Sequence, residues 1–180
     1  MRQTLKIHPD TRCKAVSRIE VEVARFSPEK LALRYVASGA TAGLRIPARV
    51  PTARADELWK HTCFEVFIRP EPGADYHEFN FSPSTQWAAY RFDGYRSGMA
   101  PANVLAPDIE VRPANDRLEV NVQLDVSSLP LGVAWKLGLS AVIEELGGAK
   151  SYWALAHPPG KPDFHHADCF AMRLPAANPT

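Results

Sequence analysis

At 180 residues, 46% hydrophobic and 23% charged, the chain is long and apolar enough to bury a substantial core, and its 16 prolines and 10 glycines mark many turns rather than disorder. A net charge of +1, with lysine and arginine scattered, offers no basic patch for nucleic acid or an anionic membrane surface, so neither is expected as a partner. Cys13, Cys63 and Cys169 are odd in number and form no CxxC, which argues against a disulfide framework or a zinc knuckle. The opening MRQTLKIHPD has no apolar signal segment, and no run approaches the ~20 apolar residues of a membrane span, so a cytoplasmic protein is expected.

In chain order, runs rich in β-branched and aromatic residues fall at 18–26, 30–37, 63–69, 76–82, 86–92, 109–112, 118–125, 134–144, 151–156 and 170–174. Proline, glycine, aspartate and asparagine stand between them. This spacing predicts an all-β fold, an antiparallel β-sandwich of about ten strands, jelly-roll or immunoglobulin-like. The alternation of Leu118, Val120, Val122 and Leu124 with Glu119, Asn121 and Gln123 predicts one buried and one solvent-facing side. Residues 94–107 read as a polar loop, 1–174 as a single domain and 175–180 as a flexible tail.

The stretch LWKHTCFEVFIRPEPGADYHEFNFSPSTQWAAYRF, residues 58–92, predicts a three-stranded meander with turns at PEPGAD and SPST. A first turn centred near Pro72 and Gly73 sets Glu65 opposite Asn80 and Phe67 opposite Glu78. A second, centred on Pro83 and Ser84, sets Asn80 opposite Trp87 and Tyr76 opposite Arg91. One side then collects Phe64, Val66, Ile68, Phe79, Phe81, Ala88, Tyr90 and Phe92 as a core face. The other carries Trp59, Cys63, Glu65, Phe67, Arg69, Glu78, Asn80, Trp87 and Arg91, with both indoles partly accessible and the polar groups facing solvent. Indoles among carboxylates, an amide and a guanidinium suit a polar ring-shaped ligand, with flat surfaces for stacking and hydrogen bonds at the rim. A plainer reading packs both indoles under a covering loop and pairs the charges across strands.

Leu58 to Phe67 (LW-x-H-x-C-F-E-V-F), Tyr76 to Pro83 (YHEFNFSP) and Gln86 to Phe92 (QWAAYRF) resemble the DOMON-like domains related to the family 9 carbohydrate-binding modules. FHHADCFAMRL, from Phe164 to Leu174, resembles that family's closing strand. The resemblance implies a β-sandwich that binds sugars or, in other branches, haem. It also implies that Trp59 stacks on the sugar while Glu65, Asn80 and Arg91 bond its hydroxyls. A second stacking group near the C-terminus falls to Phe164 or His165.

Other constellations are weaker. Glu65 and Glu78 could be the acid and base of a glycosidase, but the acidic spacing of the sandwich glycosidases is missing. His61, His77, His165 and His166 form no metal-binding pattern, and Asp163 and Asp168 lack the dense spacing of a calcium loop. No axial pair marks haem, and no phosphate loop, nucleophile elbow or dinucleotide fingerprint appears. The expectation is a non-catalytic domain with no cofactor or metal. Its small-molecule ligand, a carbohydrate or carbohydrate-like compound, is held by Trp59, Glu65, Glu78, Asn80, Trp87, Arg91 and His165. The alternatives are a hydrolase using Glu65 and Glu78, a protein-interaction domain and a haem-binding DOMON domain. Oligomeric state is not legible.

Overall fold

The computed structural model describes residues 1–177; positions 178–180 of the expected tail lie outside the described residues. Twelve strands form one curled sheet, with antiparallel pairing throughout: β1 (Arg2–Ile7), β2 (Arg18–Ser27), β3 (Lys30–Ser38), β4 (Cys63–Pro70), β5 (Tyr76–Phe81), β6 (Trp87–Phe92), β7 (Ala100–Pro101), β8 (Asp108–Pro113), β9 (Arg117–Asp125), β10 (Trp135–Glu144), β11 (Lys150–Ala154) and β12 (Met172–Leu174). The order is β7-β6-β5-β4-β10-β11-β1-β2-β3-β9-β8, with β12 pairing the start of β10. Among the described residues, helix is confined to three-residue 3-10 turns such as Leu58–Lys60 and Ala167–Cys169.

The sheet folds on itself through β1. Its first residues pair with β2 and its last two, Lys6 and Ile7, with β11, so one short strand bridges the two layers of a sandwich. Between the layers, Val21, Leu33, Tyr35, Val120 and Val122 meet Phe64, Val66, Ile68, Phe79, Phe81, Leu137 and Leu139, all at most 1% exposed. Each such side chain contributes about 1.5–3 kcal/mol on burial, and the period-2 pattern of β3 and β9 is its direct trace in sequence. β1 and β7 are the strands that the sequence pattern does not reveal. β1 buries only Leu5, and β7 is two residues long at an edge.

β4 departs from simple alternation, because seven of its eight residues are buried. A second apolar cluster explains this. Phe67, Tyr76, Ala88, Tyr90, Phe92 and Phe170 pack on the outer side of β4–β6, with Leu58, Trp59 and Phe164 against them. The arm 157–170 lies across that outer side. At Gly138 of β10 a Cβ would come within 3.3 Å of both the Cys169 carbonyl and Phe67 Cβ, so the glycine admits this close approach.

Candidate functional site

The outer side of the β4–β6, β10 and β11 strands is the floor of a cleft of about 440 Å³, within the size range of small-molecule sites. Pairing fixes what stands there. Glu65 is level with Asn80 and with Ser140, Phe67 with Glu78, Glu78 with Tyr90, and Val142 with Tyr152. The walls come from three loops: Trp59 from the 3-10 turn, Arg96 and Met99 from 94–99, and Phe164 and His165 from the arm.

The β4–β5 register is the one read from the sequence, whereas the β5–β6 register is shifted by one residue. Asn80 pairs with Ala88 and Tyr76 with Phe92. The loop between them holds three residues, since the Ser82 amide donates to the Gln86 carbonyl, and Thr85 sits in the left-handed region at φ 73°. That conformation is costly for a β-branched residue. It is held by the Thr85 amide donating to the Ser82 carbonyl and its hydroxyl donating to the Val50 carbonyl at 2.7 Å.

The slip inverts β6. Trp87, expected on the ligand face, is 5% exposed and packs in the main core, with the Arg54 guanidinium 4.5 Å from its ring. Arg91 shares the parity of Trp87, points away from the cleft and pairs with Asp93 at 3.2 Å in solvent. In their place Ala88, Tyr90 and Phe92, expected in the core, stand on the site side. Of the two indoles expected to be partly accessible, only Trp59 is. Its ring meets Tyr90 edge-on at 5.9 Å, and the Tyr90 hydroxyl donates to Asp56 at 2.7 Å.

Glu65 and Glu78 do not face open solvent as expected. They are 2% and 5% exposed because the arm and the aromatic walls cover them. The Ser140 hydroxyl donates to Glu65 Oε2 at 3.0 Å, and Asn80, enclosed behind them, donates through Nδ2 to Glu78 Oε1 at 2.8 Å. Burial raises the pKa of Glu65, and the neighbouring charge of Glu78 raises it further. Burial also raises Glu78, with Asn80 and Arg96 offsetting part of the rise. The two carboxyls titrate as a pair.

His165 drops into the cleft from the arm. Its Nδ1 lies 2.8 Å from the Tyr76 hydroxyl and its Nε2 3.7 Å from Glu78 Oε2, beyond hydrogen-bond reach. Its ring stands edge-on to Phe67 and Phe92, each at 5.1 Å. Burial, followed by the charge of Arg96, lowers its pKa to about 4, so the imidazole is neutral at pH 7. Arg96 pairs with Asp163 at 2.7 Å, which ties the 94–99 loop to the arm.

The structure thus gathers Trp59, Glu65, Glu78 and His165 at the cleft, places Asn80 behind them, and separates Trp87 and Arg91 from them. Sequence reading did not single out Phe92, Arg96, Lys150 or Tyr152, which also line it. The reversed parity of β6 hid Phe92, and the other three come from a loop and a strand distant in sequence. Among the described residues, no group of three histidine, cysteine or carboxylate side chains converges as a metal site. The three cysteines are free thiols.

No family model matches the sequence, and no match is found among curated proteins. Among solved structures, the chain is similar to a candidate carbohydrate-binding protein from Bacteroides uniformis ATCC 8492. The TM-score is 0.71 at 17% identity, over 93% of this chain and 83% of that one. It is also similar to a family 9 carbohydrate-binding module from Caldicellulosiruptor kristjanssonii. In complex with cellotriose that module gives a TM-score of 0.57 at 10% identity, over 89% of this chain and 74% of that one. In complex with glucose it gives 0.51 at 10% identity, over 87% and 76%. At such identities the likeness shows a shared fold.

Proposed function

We propose that the chain binds a small saccharide in this cleft without transforming it, as a DOMON-like relative of the family 9 carbohydrate-binding modules. The observation that carries this reading is the placement of Trp59. Its indole is braced edge-on by Tyr90 yet left partly open at the lip of a cleft whose floor is polar. A sugar ring needs such a flat apolar surface for its C–H face and directed groups for its hydroxyls. Glu65 and Glu78 on the floor and His165 on the wall give the cleft both donors and acceptors. The solved structures of similar fold include modules in complex with cellotriose and glucose, which supports the same ligand class.

The carboxyl placement favours binding over hydrolysis. A glycosidase flanks the scissile bond with two carboxyl groups, and in the inverting case a water sits on the face opposite the acid. Glu65 and Glu78 rise from adjacent strands of the same floor, so both meet a ligand from one side.

Calorimetric titration with glucose, cellotriose and a panel of other mono- and disaccharides tests the proposal. Expected is saturable 1:1 binding to at least one sugar, with no new reducing ends formed. Trp59→Ala should weaken that binding at least about tenfold, or ~1.4 kcal/mol, and leave the melting temperature within a few degrees. No binding across the panel, or unchanged binding by Trp59→Ala, would overturn it.

A further inference from the structure

Four glutamates are buried among the described residues, and two of them have cationic partners. Glu119, 8% exposed, meets Arg34 at 2.8 Å and Arg112 at 3.8 Å, while Glu144, 7% exposed, meets His61 at 2.7 Å and Arg45 at 3.3 Å. Glu65 and Glu78 have no such partner. Among the described residues neither pairs with a lysine or arginine, and the one nearby base, His165, stands 3.7 Å from Glu78 and is neutral. Each also has an oxygen without a hydrogen bond among the described residues, Oε1 of Glu65 and Oε2 of Glu78, on side chains that line the cleft. Two enclosed carboxyls without a counter-charge are costly to keep. They are therefore poised to receive a cation that arrives with the ligand.

We propose that the ligand carries a protonated amine seated between Glu65 and Glu78, which makes the preferred class an amino sugar. This rests on the saccharide reading above and narrows it. The lining suits the charge, since it includes the aromatic side chains of Trp59, Phe67, Phe92, Tyr152 and Phe164, and aromatic rings attract an ammonium group that loses water.

The protein's own cations do not fill the place. Lys60 is paired with Glu57 at 2.7 Å and Arg96 with Asp163 at 2.7 Å, both out at the mouth, where Lys150 also stands. Arg96 eases the ionisation of Glu78 from a distance without contacting it. The remaining titratable neighbours keep their protons near neutral pH. Burial pushes Cys63 and Tyr35 upward beside Glu65, and Tyr76 upward beside Glu78. Seating an ammonium group therefore draws the proton from the carboxyl pair into bulk solvent.

The test is calorimetric titration of the whole chain at pH 6.5 with glucosamine, glucose, N-acetylglucosamine and the non-sugar cyclohexylamine, in two non-amine buffers of different ionisation heat. Glucosamine should bind at least tenfold tighter than glucose or N-acetylglucosamine, with net proton release. Glu65→Gln and Glu78→Gln keep side-chain shape and remove charge, so in either variant glucosamine should bind no tighter than glucose does to that same variant, with no net proton release. Glucose binding with no preference for the amine overturns this proposal and leaves the saccharide reading intact. So does a preference that survives in both variants. Tight binding of cyclohexylamine with no sugar bound overturns the saccharide reading and supports the ammonium site. Absence of binding by all four overturns both.

Discussion

Glu65 and Glu78 link the site to the pH dependence of stability. The pair titrates in the range of about 7 to about 8, above the ~4.3 of an unfolded glutamate, so the folded chain holds protons that the unfolded chain gives up. Their contribution is whole below the unfolded value and is lost as pH rises through the folded ones. His165 acts in the opposite sense: depressed to about 4, it costs stability as pH falls below ~6.5. Glu119 and Asp125, both lowered to about 2, by hydrogen bonds from Arg34 and from Lys30 respectively, act only in acid. Between about pH 6.5 and 8 the carboxyl pair therefore dominates. The unfolding free energy should fall there by up to ~1.4 kcal/mol per pH unit for each retained proton. Denaturant titration at several pH values measures the slope, which Glu65→Gln or Glu78→Gln should flatten. A wild-type profile already as flat as the variants' would show that the pair is not held protonated.

The β5–β6 hairpin shows how one turn decides which residues reach the site. The two strands of the first hairpin are legible because their faces differ in polarity: Glu65 and Asn80 cannot share a side with Val66 and Phe79. Strand β6 offers no such contrast. Trp87 and Ala89 are as apolar as Ala88 and Tyr90, so alternation gives no parity, and the register hangs on whether the turn has two residues or three. The left-handed Thr85 supplies the third, and nothing in a threonine signals that conformation. The arm 157–170 has no periodicity, so its crossing over β10 was equally hidden, and His165 was reached only through a family resemblance. The corrected register has a direct consequence. Trp87→Ala should cost ~3–5 kcal/mol of unfolding free energy, as for an emptied aromatic core site. A loss below ~1 kcal/mol in urea denaturation would return Trp87 to a surface face.

At the scale of the molecule, the curled sheet separates two tasks. Its inner side holds the main core, and the alternation of β2, β3 and β9 made that half of the sandwich legible. The outer side of β4–β6, β10 and β11 is left for the 3-10 turn, the 94–99 loop and the arm to roof, which creates a cleft with aromatic walls and an acidic floor. Solved structures of similar fold include carbohydrate-binding modules. The four tryptophans give this arrangement a direct readout, because they are distributed between core and site. Trp87, Trp135 and Trp153 belong to the main core, and Trp59 alone lines the cleft. Two-dimensional 15N NMR of the indole N–H groups during titration with glucosamine or glucose should shift the Trp59 resonance progressively to saturation and leave the other three nearly still. Unchanged indole resonances at saturating sugar, or a shift confined to another tryptophan, would contradict saccharide binding at this cleft.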